Sequence, residues 1–164
     1  MRNTPAKQIA FGGIFAALAL VIMNLGSLIP VATYVCPMLC MLILGFVTKM
    51  CGDRIGWAWY GAVAILSCLM APDKEAAAVF VFLGFYPILK PKFDRMPFSL
   101  IPKLTLFNIL ILLMYWLLLG LLGMDQIAAE FEEMGQILTA VMLLMGNLIF
   151  FLLDFALGRF ARYK

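Results

Sequence analysis

A lysine held between two carboxylates is the first feature with chemical potential. The segment Ala71-Pro-Asp-Lys-Glu-Ala-Ala-Ala sets Lys74 between Asp73 and Glu75 at the mouth of an apolar run. Lysine is a mobile point charge suited to gripping a carboxylate or phosphate. The same residues also read as local structure, with Asp73 as an N-cap and Glu75 at the positive end of a helix dipole, joined to Lys74 in a surface ion pair. Amides inside apolar runs come next, because an unsatisfied amide in hydrocarbon is costly. Asn24, Asn108 and Asn147 are such groups; a shared outward cavity would reach Asn24 and Asn147, and interhelical hydrogen bonding explains any of the three. Tyr115 and Trp116 can stack on a ring, or serve as belt aromatics. Cys36-Pro-Met-Leu-Cys-Met puts two thiols one helical turn apart beside Met38 and Met41, a soft set that would favour Cu(I). Buried small hydrophobes is the plainer reading of these cysteines.

Other chemistries are excluded by what the chain lacks. With no histidine among 164 residues, His-centred triads, zinc hydrolases and haem bundles fall away. Cys36, Cys40, Cys51 and Cys68 do not have the paired-doublet spacing of a zinc site. There is no phosphate-binding glycine loop, so the chain hydrolyses no ATP by itself. The net charge of +3 is too small, and the charges too dispersed, for a nucleic-acid footprint. Asp154, near Arg159, reads as an ion pair at a helix end.

The elements that must position these residues follow from composition. Apolar residues make up 65% of the chain and charged ones 13%, against roughly 45–50% apolar in soluble domains. An integral membrane protein is the class that remains. At about 20 residues per span, six spans use about 120 residues and leave no room for a second domain, so residues 1–164 form a single domain. The runs are Ile9 to Leu28, Thr33 to about Lys49, Ile55 to Met70, Ala76 to Leu89 with Pro87 inside it, Ile101 to Leu122, and Ile137 to Leu157. Between the last two, Asp125 to Gln136 carries acids among apolar residues at helical spacing, which predicts a short amphipathic helix on the membrane surface. The expected fold is all-α, with six transmembrane helices and that surface helix before the last span.

Orientation comes from the basic residues, which stay cytoplasmic in short loops. If six helices alternate, eleven of the twelve basic residues fall on one side and Lys74 alone falls opposite. Asp73, Glu75, Asp125, Glu130, Glu132 and Glu133 share the outer side. Both termini are therefore expected in the cytoplasm, and the first span is read as an uncleaved helix. Tyr86-Pro-Ile-Leu-Lys-Pro-Lys makes a stiff basic turn on the inner side. Within the first span, Gly12 and Ala16, like Gly13 and Ala17, sit four apart on one face, where a neighbouring helix can approach closely.

This layout, with a first span reading Gly-Gly-Ile-Phe-Ala-Ala-Leu-Ala-Leu-Val, resembles the substrate-binding S components of energy-coupling factor (ECF) vitamin importers. The likeness covers nearly the whole chain in layout and is specific in sequence across Ile9 to Pro30. In that family an Ala-x-x-x-Ala motif on the first helix packs on the coupling subunit. The matching positions here are Gly13 and Ala17, with Gly12 and Ala16 beside them. The resemblance implies a ligand bound near the outer face, close to Asn24, Thr33, Tyr34 and Lys74, with Glu75, Tyr115, Trp116 and Asn147 as the remaining candidates. It implies a non-enzymatic subunit in a bacterial cell membrane that captures a small organic nutrient. Its partners would be a transmembrane coupling subunit and two ATPase subunits, with no cofactor, no metal and no nucleic acid. The alternatives are a small membrane scaffold or regulatory subunit, which needs no cavity, and a lipid-modifying enzyme, which would want clustered intramembrane acids.

Overall fold

Where hydrocarbon replaces water, a backbone must satisfy its own polar groups, and apolar runs of this length do so as helices. The computed structural model describes residues 5–26, 32–95, 98, 100–120 and 125–162, with residues 5, 26, 32, 33, 125–139, 142 and 160–162 described by backbone alone. The described chain is all-helical: α1 (Pro5–Gly26), α2 (Ala32–Cys51), α3 (Asp53–Met70), α4 (Lys74–Leu83), α5 (Tyr86–Phe93), α6 (Leu100–Gly120) and α7 (Asp125–Arg162).

The breaks between helices follow local chemistry. Gly52 alone separates α2 from α3, and its φ of 91° is a conformation that glycine adopts without a Cβ penalty. Its N–H closes α2 on the Thr48 carbonyl at 2.8 Å. The tight reversal presses α3 onto α2, so that a Cβ on Gly56 would lie 2.5 Å from Thr48 Oγ1. Ala71 precedes a proline and is extended, ending α3. Asp73 then caps α4 by accepting from the Ala76 N–H at 3.0 Å, as its position in the sequence predicts. A turn at Gly84 and Phe85 divides the fourth apolar run into α4 and α5, with Pro87 in the first turn of α5.

Among the described residues, four stretches are long and apolar enough to cross a membrane: Ala6–Leu25, Tyr34–Cys51, Lys74–Phe93 and Leu100–Gly120. The chain therefore has the makings of a membrane protein. α3 is less apolar because it opens with Asp53 and Arg54 and carries Trp57, Trp59 and Tyr60. One expectation is corrected. The amphipathic helix over 125–136 is not a separate element, because α7 runs unbroken for 38 residues, a rise of about 57 Å. Nothing between Gln136 and Ile137 stops a helix; Gly135 is the weakest residue nearby, and a glycine costs a helix only about 1 kcal/mol.

α2 is the hub, packing against α1, α3, α4, α5 and α7, while α6 is held between α4 and α7. Cys36, Cys40, Met41, Leu44 and Val47 of α2 are buried in one apolar cluster with Met23, Trp59, Val63, Phe80, Met114 and Phe150. Phe107 and Phe150 stack across α6 and α7 with centroids 4.6 Å apart. Ile65, Leu69, Leu112 and Leu144 point out of the bundle and stay exposed, the expected state of a helix face turned to lipid tails. The side-chain contacts require helices of alternating direction: the starts of α2 and α4 meet the end of α6, while the end of α5 and the start of α6 meet the last turns of α7.

Candidate functional site

Two polar clusters stand at opposite ends of this apolar bundle. The first joins α2, α4 and α6. Tyr34 donates to Glu75 Oε1 at 2.7 Å, Tyr115 donates to the same oxygen at 2.6 Å, and the two phenol oxygens lie 2.8 Å apart. The sequence placed these three residues among its candidates, and the fold brings them together from positions 34, 75 and 115. Glu75 is half-buried, and none of the described residues donates to its Oε2. No buried side-chain oxygen or nitrogen among the described residues lacks a partner, so Oε2 is accessible.

Lys74 does not join this group. Its Nζ donates to the Cys68 carbonyl at 2.9 Å, and the side chain is exposed. The ion pair expected of Lys74 with Asp73 and Glu75 is thus replaced by a contact with the last turn of α3. Adjacent residues on a helix do not share a face, so Glu75 turns into the bundle while Lys74 turns out, towards carbonyls at the negative end of the α3 dipole. The same geometry separates Tyr115 from Trp116, which is 70% exposed and faces away from the bundle.

The remaining candidates lie elsewhere. Asn147 pairs with Asn108 across α7 and α6, exchanging hydrogen bonds of 2.9 and 3.2 Å. Each amide also bonds the carbonyl one turn back in its own helix. Asn24 bonds the Leu20 carbonyl at 2.8 Å, and among the described residues no hydrogen bond joins it to Asn147, whose partners are Asn108 and the Leu143 carbonyl. The Thr33 side chain lies outside the described residues. Cys40 donates to the Ala19 carbonyl at 3.5 Å across α1 and α2, and Cys36 is buried beside it.

The two small-residue pairs of α1 take different faces. Gly12 is buried and its carbonyl accepts from the Trp59 indole at 3.0 Å, while Ala16 packs against the core. Gly13 and Ala17 are exposed, and a Cβ on Gly13 would meet nothing within 4 Å. Near the start of α1, Lys7, Phe11 and Ile14 with Met50 and Cys51 line an open groove of about 310 Å³.

The second cluster was missed as a unit. Asp154 accepts from Lys90, from Tyr86 at 2.5 Å and from Lys103 at 3.2 Å. Asp94 completes it, 3.6 Å from Lys90 and in direct contact with Lys103. Lys90 and Lys103 are buried, at 6% and 3% exposure. From the sequence they read as topology-setting loop charges, and Asp154 as the partner of Arg159. In the structure Arg159 instead lies over the Phe155 ring, 5.3 Å from its centroid. Five residues on, Arg159 has turned about 140° around α7, whereas helical neighbours are three or four apart. The missed signal was Asp154 itself, since an acid within an apolar helix needs a cation from another element.

Compared with known proteins, the chain matches no family model, no curated protein and no solved structure.

Proposed function

We propose that the chain is the substrate-binding subunit of an ATP-driven importer, an S component of the energy-coupling factor type that captures a small organic nutrient at the extracellular face. The supporting observation is the Tyr34–Glu75–Tyr115 group, a half-buried carboxylate with two phenols at one end of an apolar bundle. A group of that kind costs free energy to place among apolar helices, and such residues mark ligand pathways more often than packing. α1, α2, α3, α4 with α5, α6 and α7 would make six crossings. With Lys90, Lys92, Arg95 and Lys103 held cytoplasmic, both termini lie inside and the Glu75 end faces outward. The exposed Gly13 and Ala17 face would receive the coupling subunit, with two ATPase subunits behind it in a bacterial membrane.

Small molecules released by denaturing the full-length protein, purified from its native membrane, test this reading by mass spectrometry. A stoichiometric organic compound is expected. Its absence, together with no stabilisation by any added small molecule, favours a scaffold or regulatory subunit. For the partner surface, Ala17→Trp should abolish co-purification with an ATPase-bearing complex while the bound compound is retained; an intact complex would remove the assignment.

A further inference from the structure

We infer that the groove at the start of α1 seats one anionic phospholipid, its phosphate on Lys7 and one acyl chain along Ala10, Phe11, Ile14 and Met50. This goes beyond the nutrient-binding reading and does not depend on it, since it needs only that the helices stand in a bilayer. The groove, of about 310 Å³, changes character along its length: Lys7 and Gln8 form a polar end, and Ala10, Phe11, Ile14 and Met50 line the apolar remainder. At a rise of about 1.5 Å per residue, about 10 Å of helix separates Lys7 from Ile14. Free phosphate matches only the polar end, and a bare hydrocarbon chain matches only the apolar part. A phospholipid matches both. The walls are held from behind. The Cys51 thiol donates to the Gln8 carbonyl at 3.9 Å, which ties the end of α2 to the start of α1. The Phe11 ring packs on Phe15 and Phe46, with centroids 4.7 and 6.3 Å away. Ile14 and Met50 are exposed, so the open side is apolar surface of the kind that bilayer chains cover.

Charge selects the headgroup. Lys7 is exposed and makes no ion pair among the described residues. The first turn of α1 contains no acid, although the positive end of a helix dipole favours an anion there. α3 opens on Asp53, and α4 carries Glu75 in its first turn behind the Asp73 cap. At the same end of the bundle as Lys7, Lys49 stands in the last turn of α2 and Arg54 at the start of α3, with Asp53 the one acid described at that turn. Basic residues clustered at a membrane surface attract anionic lipid.

The test adds phosphatidylglycerol or phosphatidylcholine of identical acyl chains to the purified full chain in detergent. Retained lipid is counted by native mass spectrometry, and the thermal midpoint is followed, since a ligand that binds only the folded state raises it. One phosphatidylglycerol should be retained per chain and should raise the midpoint; phosphatidylcholine should bind more weakly, and glycerol phosphate should have no effect. Lys7→Gln should weaken phosphatidylglycerol binding by about five-fold. Ala10→Trp, which fills the groove from an exposed position and alters no charge, should abolish it. Arg54→Gln, outside the groove, should cost less than Lys7→Gln. Glu75→Gln should retain the lipid, which keeps a failure of this inference apart from a failure of the nutrient-binding reading. Equal retention of the two lipids would overturn the inference. So would parent-like binding by Ala10→Trp with Lys7→Gln and Arg54→Gln equally weakened, the signature of diffuse attraction to a basic surface. A response to glycerol phosphate as large as that to lipid would make this a site for free phosphate, and no retained lipid would leave the groove to a protein neighbour; either result overturns the inference.

Discussion

The clusters at the two ends of the bundle use similar residues and differ in their balance of charge. At the Asp154 end two lysines meet two aspartates, and Tyr86 adds a hydrogen bond. At the Glu75 end, among the described residues, a carboxylate is met by two phenols, while Lys74 turns away. The first cluster ties α5, α6 and α7 through ion pairs; in the second no ion pair to Glu75 is seen among the described residues. Charge balance therefore separates a cluster that clasps helices from one built around a single carboxylate, which residue type alone does not.

The largest effect should come from unbalancing the clasp. Asp154→Asn leaves Lys90 and Lys103 buried with Asp94 as their only acid, and removing one partner of a buried pair costs about 3–5 kcal/mol. The midpoint of thermal unfolding should fall by roughly 10 °C. Replacing Asp154, Lys90 and Lys103 together by Leu, Met and Met should recover much of that loss, because no buried charge is then orphaned. If the triple variant is as unstable as Asp154→Asn, the clasp does not act through charge.

Next in size is the amide pair of α6 and α7. Asn147→Leu and Asn108→Leu should each cost on the order of 1 kcal/mol, and the double variant little more than either alone, since each amide is the other's interhelical partner. Strict additivity in thermal unfolding would show that the pair is not coupled. Smallest is Lys74→Ala, which removes an exposed contact to a carbonyl and should change stability by no more than about 0.5 kcal/mol.

The helical class and most helix boundaries were legible in the sequence because Gly52 and Pro72 punctuate apolar runs, whereas the break at Gly84 and Phe85 inside the fourth run was not. The continuity of α7 was not, since a surface helix and the start of a span differ in polarity and not in backbone preference. Tyr34, Glu75 and Tyr115 were recognisable as candidates, being polar groups near the same expected end. Their mutual contact was not, because it depends on α2 packing against α4 and on α4 packing against α6. Lys90 and Lys103 were hidden for a different reason. Their positions near helix ends satisfy the topology rule whether or not their ammonium groups turn inward, and long stems allow either.

The most direct measurement compares Asp154→Asn and Glu75→Gln, each purified from the native membrane, by thermal unfolding and by the organic compound released on denaturation. Asp154→Asn should unfold far below the parent and still release the compound that the parent carries. Glu75→Gln should unfold within a few degrees of the parent, because a glutamine oxygen still accepts from both phenols, and should lose most of the bound compound. The reverse assignment, with the Glu75 variant collapsing and the Asp154 variant alone losing the compound, would contradict the division of the molecule into a clasp and a site.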